Sequence, residues 1–279
     1  MNHPNFKGTA LITGASSGIG ATYADRLARR GYDLILVARD QQRLDRLATR
    51  LSGETSAQVA TLQADLTSKA DLARVEQRLR SDDSITMLVN NAGVGANGPL
   101  ANADLDSIEA MIQLNVVALT RLAAAAASGF VTRGNGKLIN IGSVVALTPE
   151  TFNASYSATK AYVLSLSQSL HAEIGKHGAQ VQVVLPGVTR TEIWERTGID
   201  VSSLPASMIM EAGEMVDAAL AGLDRGELVT TPSLPDAADW DAFIAARARL
   251  GPNLSHDHPA DRYKVNTDAP VDVSIAARA

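Results

Sequence analysis

Short apolar segments alternate with amphipathic segments along most of this chain, and the alternation restricts the fold more than any other feature of the sequence. Four apolar runs near the start have the length of buried strands, and the segments between them have helical spacing. The runs are TALITG (9–14), YDLILVAR (32–39), AQVATLQADL (57–66) and ITMLVNNAG (85–93), and the helical segments are 19–31, 40–51 and 68–79. Apolar strands joined by helices through short loops form a parallel sheet with helices on both faces.

The alternation continues through the middle of the chain without a Pro/Gly/Ser-rich linker. The next predicted elements are a long helix (104–127), a fifth strand (136–143), a second long helix (155–178) and a sixth strand (179–187). We therefore predict a single α/β domain for residues 1–279, with a three-layer doubly wound parallel sheet of about seven strands. Residues 188–215 are irregular, a further helix follows residue 235, and residues 251–279 form a polar C-terminal tail.

Charge and cysteine content exclude several classes of protein. The net charge is −5 and the basic residues are dispersed, so we expect no nucleic-acid partner and no anionic membrane surface. The chain has no cysteine, which rules out disulfides, thiolate metal sites and a cysteine nucleophile. His256 and His258 lie in the polar tail, and we expect them to be solvated, with no metal site. The N-terminus does not read as a signal peptide, so we expect a soluble cytoplasmic protein.

The stretch TGASSGIG (13–20) lies between the first predicted strand and the first predicted helix. Glycines at such a crossing permit a tight turn and let backbone amides and a helix N-terminus approach a phosphate. Gly14, Gly18 and Gly20 are therefore candidates for a dinucleotide pyrophosphate site, although their spacing differs from the common Gly-x-Gly-x-x-Gly pattern.

The same letters also match the Gly-x-Ser-x-Gly nucleophile elbow of α/β-hydrolases, with Ser16 as the nucleophile. Only 13 residues precede Gly14, which leaves no room for an earlier strand with an oxyanion-hole loop. The only late histidines are the two in the polar tail. A hydrolase is therefore the weaker interpretation.

Further motifs occur downstream in a fixed order. They are NNAG (90–93), Asn115, Ser143, Tyr156 with Lys160, and PG (186–187). Together with the glycine stretch, this ordered set resembles the short-chain dehydrogenase/reductase family in its compact single-domain form, over roughly residues 7–231. The resemblance implies a Rossmann-like fold and contacts between copies through the two long helices, in a homodimer or homotetramer.

The resemblance also implies a cofactor-binding set. The turn residues Gly14, Ser16, Ser17, Gly18, Ile19 and Gly20 would hold the pyrophosphate, and Asp65 with Leu66 the adenine. Asn91, Ala92 and Gly93 would close over the adenosine side. Pro186, Gly187 and Val188 would pass the nicotinamide, and Thr191 would bind its carboxamide.

Tyr156 and Lys160 are four residues apart on a predicted helix, so both side chains address the same spot. A nearby ammonium stabilises tyrosinate and is expected to lower the phenol's pKa. In the family, this tyrosine gives its proton to the carbonyl oxygen as hydride arrives at carbon, and takes the alcohol proton in the reverse direction. By the same resemblance, Ser143 holds the substrate oxygen, Lys160 also bonds the nicotinamide ribose, and Asn115 anchors a water relay to that lysine.

The end of the second strand, VARD (37–40), bears on the choice of cofactor. NAD-preferring enzymes place a carboxylate there, whereas this chain has Ala38 followed by Arg39. A guanidinium can bind a 2′-phosphate through two hydrogen bonds, so we predict NADP(H), with Arg43 as a possible second contact. The alternatives are an NAD-dependent dehydrogenase of the same family and a non-catalytic dinucleotide-binding regulator.

In the family, residues 188–215 would form the substrate lid. Its apolar residues predict a mostly apolar pocket for a small carbonyl or alcohol substrate. The predicted lining residues are Ile193, Trp194, Leu204, Met208 and Met210 of the lid, and Val144, Leu147 and Phe152 between Ser143 and Tyr156.

Overall fold

The computed structural model describes residues 6–196, 198 and 200–264. The chain separates into two compact units, Met1–Ser233 and Leu234–Ala279. The sheet and all of the predicted site residues belong to the first unit. The helix predicted after residue 235 is confirmed in the second, and the last part of the predicted tail, 265–279, lies outside the described residues. The assignment of residues 1–279 to one domain stays a prediction.

Seven parallel strands form the central sheet, as the alternation predicted. The strands of the chain are β1 (Thr9–Thr13), β2 (Asp33–Ala38), β3 (Val59–Gln63), β4 (Ile85–Asn90), β5 (Gly136–Ile141), β6 (Ala179–Val184), β7 (Thr189–Arg190), β8 (Met210–Glu211) and β9 (Val229–Thr230). The sheet order is β3-β2-β1-β4-β5-β6-β9, and β7 pairs with β8 separately. The order reverses between β1 and β4, which opens a crevice at their carboxyl ends.

Helices cover both faces of the sheet, so the fold is a three-layer, Rossmann-like α/β structure. The described helices of the first unit are α1 (Gly18–Arg29), α2 (Gln41–Glu54), α3 (Lys69–Ser81), α4 (Leu105–Ile112), α5 (Leu119–Arg133), α6 (Ala154–Ile174), α7 (Ile193–Arg196) and α8 (Ala212–Asp224), and the second unit contains α9 (Ala237–Ala248). One buried cluster joins the sheet to α1, α2 and α8, and a second joins it to α3 and α5. Each cluster is the core between the sheet and one helical layer.

The long helix predicted over 104–127 begins at Leu105 but continues to Arg133, where Gly134 ends it in the left-handed conformation with φ 65°. A π-helical turn, Gln113–Ala118, interrupts its middle. Among the described helices, this run alone has the length and apolar composition to cross a membrane, and 44% of its most apolar window is buried inside the protein. Core helices of soluble proteins meet the same criterion of length and composition.

Candidate active site

A cleft of about 1050 Å³ collects the residues that the sequence singled out. Its wall includes Gly14, Ser16, Ser17, Gly18, Ile19, Arg39, Asp65, Leu66, Asn91, Ala92, Gly93, Ser143, Tyr156, Lys160, Pro186, Gly187, Val188 and Thr191. Gly20 and Asn115 do not line the cleft. Gly20 packs against the carbonyl oxygen of Gly14, and Asn115 is buried beside Gly93. No histidine lines this cleft in the described part of the chain, which leaves Ser16 without the base that a hydrolase requires.

The glycine turn forms a cradle that fits a dinucleotide pyrophosphate. Gly14 and Gly18 adopt φ values of +65° and +53°, which side-chain-bearing residues rarely reach. A Cβ added at Gly20 would lie 2.4 Å from the carbonyl oxygen of Gly14, so the turn closes tightly on the start of α1. Ser17 is the N-cap residue of α1, and its side chain makes no capping hydrogen bond. The first-turn N–H groups of α1 are therefore available to an anion in the cleft.

The NNAG segment is fixed against this turn by hydrogen bonds from β1. Thr13 Oγ1 accepts hydrogen bonds from the backbone N–H groups of Asn91 and Ala92, each at 3.0 Å. The Asn91 side-chain amide donates to the Thr13 and Gly14 carbonyl oxygens at 2.9 and 3.2 Å. Thr13 was not among the predicted site residues, although a threonine at the end of a buried strand beside a glycine turn was a usable signal.

Ser143 follows the end of β5, while Tyr156 and Lys160 lie on α6. The Lys160 ammonium nitrogen is 5.6 Å from the centroid of the Tyr156 ring, so the two side chains meet as the i, i+4 spacing predicted. Lys160 Nζ donates a hydrogen bond to the carbonyl oxygen of Ile141 at 2.9 Å. Ser143 is buried, and its hydroxyl interacts with the Tyr156 phenol.

Burial dominates the protonation of this pair. Loss of water raises the pKa of Tyr156 to about 12, and the hydrogen bond with Ser143 opposes that rise. Burial also lowers the pKa of Lys160 to about 8. The prediction that the ammonium lowers the phenol's pKa is wrong for the protein alone, because desolvation by burial sets the direction of the shift. At neutral pH the phenol keeps its proton and is a potential proton donor.

The Lys160 pKa leads to a prediction about stability. Between about pH 8 and about pH 10 the unfolded chain holds a proton on this lysine, whose ordinary pKa is about 10.4, and the folded chain does not. The free energy of unfolding should therefore rise with pH across this window, by on the order of 2 kcal/mol. Urea unfolding of the cofactor-free protein at both ends of the window measures the change.

Lys160→Met is the control, because a methionine of similar length removes the titration. The pH-dependent rise should be present in the native protein and absent from the variant. An equal rise in both proteins would show that Lys160 is not the titrating group. The window ends near pH 10 because Tyr156 then begins to ionise in the unfolded chain. Its pKa in the folded chain is raised by burial, so the free energy of unfolding falls with pH from there.

Asn115 lies in the π-helical turn and is 1% exposed. Its Oδ1 accepts a hydrogen bond from the backbone N–H of Val94 at 3.0 Å, and its Nδ2 donates to the carbonyl oxygen of Val94 at 2.9 Å. Nδ2 also donates to Thr159 Oγ1 at 3.2 Å. Thr159 was not among the predicted site residues, since no local pattern distinguishes it from other helical threonines.

The end of the cleft beside β2 carries two arginines in different situations. Arg39 is exposed and makes no ion pair within the part of the chain that the structure describes. Arg43, by contrast, donates from Nη1 to both carboxylate oxygens of Glu192 at 2.7 Å, and it lies near Asp40. Arg43 is therefore already paired with Glu192, a residue of the segment 188–215 that was not among the predicted site residues. Oδ1 of Asp65 accepts hydrogen bonds from the backbone and hydroxyl of Thr67.

The other end of the cleft, here called the substrate end, is mostly apolar. Its lining residues are Val144, Val145, Thr148, Thr151, Phe152, Ile193, Trp194, Leu204 and Met208. Trp194 lines the cleft, and its Nε1 donates to the carbonyl oxygen of Thr189 at 2.7 Å, a hydrogen bond within the segment 188–215. The prediction of lining residues is wrong at two positions. Leu147 is not in the wall, and Met210 lies in β8 and packs against the core cluster of α1 and α8.

Comparison with known proteins agrees with this geometry. The family model for short chain dehydrogenase matches residues 8–201. A short-chain dehydrogenase from Sphingobium yanoikuyae in complex with NADPH is 56% identical, with a TM-score of 0.90, over 92% of this chain and 100% of that one. The bulky-bulky ketone specific alcohol dehydrogenase from Comamonas testosteroni is 49% identical, with a TM-score of 0.85, over 94% of this chain and 99% of that one.

A more distant relative is the very-long-chain 3-oxoacyl-CoA reductase of Bos taurus, which is 34% identical over 188 residues. That match covers 66% of this chain but only 60% of the bovine protein's length. The matched family model, the two structural neighbours and the fold all agree. The chain therefore belongs to the short-chain dehydrogenase/reductase family, whose members are oxidoreductases that use nicotinamide dinucleotides.

Proposed function

We propose that this protein is an NADP(H)-dependent reductase of bulky ketones, or a dehydrogenase of the matching secondary alcohols, with Tyr156 as the general acid and base. The observation that carries the proposal is that Ser143, Tyr156 and Lys160 share one cleft with the glycine cradle. Carbonyl reduction needs a proton donor placed beside a bound hydride donor, and this cleft combines a phenol with a dinucleotide cradle. A pure nucleotide sensor would have no use for that donor.

The chain's own residues act on the substrate oxygen. The Ser143 hydroxyl orients that oxygen towards the Tyr156 phenol, and Tyr156 donates its proton to the oxygen during reduction. In oxidation, Tyr156 accepts the proton of the alcohol. Lys160 lies against the tyrosine ring and stabilises the phenolate left after proton transfer. Ile193 and Trp194 of the lid help to exclude water. When bound, the nicotinamide dinucleotide supplies the hydride in reduction and accepts it in oxidation.

The substrate class follows from the lining of the substrate end. Seven of the nine residues of this set are apolar and the other two are threonines, so the set favours an apolar substrate. The Comamonas testosteroni neighbour is described as specific for bulky-bulky ketones, which supports the same class here. We therefore expect ketones with two large apolar substituents to be better substrates than small aldehydes.

A panel of ketones, diketones and aldehydes, followed by NADPH absorbance, tests this function. Turnover of bulky ketones that disappears in Tyr156→Phe is the expected result. If NADPH binds but no panel member reacts, the reductase proposal loses its support and the non-catalytic regulator gains it. If turnover is faster with NADH, the NAD-dependent alternative is correct.

The preference for NADP(H) leads to a prediction that separates the two arginines. Arg39→Gln should weaken NADPH binding by about tenfold or more, because hydrogen bonds to charged groups contribute about 1.5–3 kcal/mol. NADH, which lacks the 2′-phosphate, should bind the variant as it binds the native protein. Arg43→Gln should have a smaller effect on NADPH, since Glu192 already occupies its guanidinium. Fluorescence titration of the native protein and both variants with NADPH and NADH gives the six affinities. Equal losses for NADPH and NADH in Arg39→Gln would contradict this assignment.

We further propose that the protein works in the cytoplasm as a homodimer or homotetramer, without a nucleic-acid or membrane partner. Leu105, Ile112 and Tyr162 on the long helices are exposed by 70%, 41% and 39%, and contact between copies would cover them. Light scattering coupled to size-exclusion chromatography tests the assembly, and a monomer at micromolar concentration would count against it.

A further inference from the structure

Thr159 occupies an unusual place between the two main candidate catalytic residues of α6. It is 3% exposed and directly precedes Lys160. Its Oγ1 donates a hydrogen bond to the carbonyl oxygen of Tyr156 at 2.8 Å and accepts one from Asn115 Nδ2 at 3.2 Å. The hydroxyl therefore connects the tyrosine's own backbone to a side chain on another helical segment.

The partner of this hydroxyl is held rigidly. Asn115 makes two further hydrogen bonds, both to the backbone of Val94, which lines the cleft. A Cβ added at Gly93 would lie 3.1 Å from Asn115 Oδ1 and 3.8 Å from Lys160 Nζ, which shows how closely these groups pack. With both amide protons and the oxygen engaged, Asn115 has one arrangement that satisfies it. Within the described structure, the hydrogen bond to Thr159 is the one that joins the Asn115 side chain directly to α6.

We propose that Thr159 is a positioning residue, whose hydroxyl fixes Tyr156 and Lys160 relative to the cleft wall at Val94 through Asn115. The proposal rests on the function assigned above to Tyr156. Hydrogen bonds on both sides hold this hydroxyl, one to the Tyr156 carbonyl oxygen and one from Asn115 Nδ2, so it links the two segments directly. Proton transfer requires the phenol to be placed within a fraction of an ångström, and a link of this kind restricts the movement of α6.

Thr159→Val removes the hydroxyl and keeps the shape of the side chain. It leaves one buried N–H of Asn115 without its partner and releases the Tyr156 carbonyl from this contact. We expect kcat for ketone reduction to fall by about tenfold or more, because small misplacements of reacting groups are costly. KM for the ketone and the affinity for NADPH should stay within about twofold, since Thr159 does not line the cleft.

Two further variants separate positioning from loss of stability. Thr159→Ser retains the hydroxyl and should recover most of kcat. Tyr162→Phe removes a hydrogen bond of 2.9 Å to Thr120, which joins α5 and α6 away from the cleft, and should leave kcat unchanged. If Thr159→Val lowers thermal stability but keeps kcat per folded molecule, or if Thr159→Ser is as slow as Thr159→Val, the proposal is wrong.

A spectroscopic readout makes the test independent of turnover. In protein labelled at tyrosine Cζ, the Tyr156 resonance is assigned by its absence in Tyr156→Phe. It should move in Thr159→Val and return towards its native position in Thr159→Ser, with no substrate present. An unmoved resonance overturns the positioning role. Retention of turnover in Tyr156→Phe would instead overturn the proposed function, so the two failures are distinguishable.

Discussion

Replacement of Tyr156 by phenylalanine is expected to lower kcat for ketone reduction by about a thousandfold, because a positioned general acid contributes roughly 10²–10⁴-fold. The change removes only the hydroxyl. The ring can keep its edge-to-face contact with Phe152, where the centroids are 5.7 Å apart. We therefore expect NADPH affinity to stay within about threefold, so that the loss lies in the chemical step.

Single-turnover kinetics with saturating NADPH measure this step without interference from product release. Tyr162→Phe is the matched control, since Tyr162 lies on the same helix, is 39% exposed and does not line the cleft. Its kcat should equal that of the native protein. If Tyr156→Phe retained a tenth or more of the native rate, another group would have to supply the proton, and the proposed mechanism would fail.

Local sequence patterns were sufficient to predict the architecture and most of the residues that line the cleft. The alternation predicted the parallel sheet because each strand and helix carries its own periodicity. Asp40 and Ser68, the first residues of the predicted helical segments 40–51 and 68–79, cap these helices, since each side chain accepts a hydrogen bond from the backbone three residues on. Motifs at the carboxyl ends of parallel strands meet in space, which is why residues as distant as Gly14 and Gly187 line one cleft.

Contacts between distant segments were not predictable from the sequence. Arg43 and Glu192 are 149 positions apart, and nothing local indicates that α2 and the lid approach each other. The π-helical turn that contains Asn115 has no sequence signature, and the bond to Thr159 depends on it. Helix α8 was also missed, since its alanine- and glycine-rich sequence follows the irregular segment directly.

The pKa values of Tyr156 and Lys160 likewise could not be predicted from the sequence. Spacing alone placed Lys160 beside Tyr156, and the geometry is as expected. Burial depends on the whole surrounding structure, and it reverses the expected effect on the phenol. A raised pKa suits a group that must hold its proton until the substrate oxygen accepts it.

Gly20→Ala is expected to have the second large effect, on cofactor binding. The added Cβ would lie 2.4 Å from the Gly14 carbonyl oxygen and 2.5 Å from Asn91 Nδ2. The carbonyl oxygen belongs to the turn backbone, so it cannot move aside as a flexible side chain would. Forcing a shift of this kind costs about 1–3 kcal/mol, so NADPH affinity should fall by about tenfold to a hundredfold. Isothermal titration calorimetry measures the loss.

Gly53→Ala is the control for this substitution. Gly53 lies in the last turn of α2, and no heavy atom is within 4 Å of the position that its Cβ would occupy. Alanine there should leave NADPH affinity unchanged and stabilise the protein by about 0.5–1 kcal/mol, because glycine is the weaker helix former. The contrast separates close approach at the turn from a general effect of adding a methyl group. If Gly20→Ala bound NADPH as tightly as Gly53→Ala does, the turn at 14–20 would not be the pyrophosphate cradle, and the dinucleotide would have to bind elsewhere in the cleft.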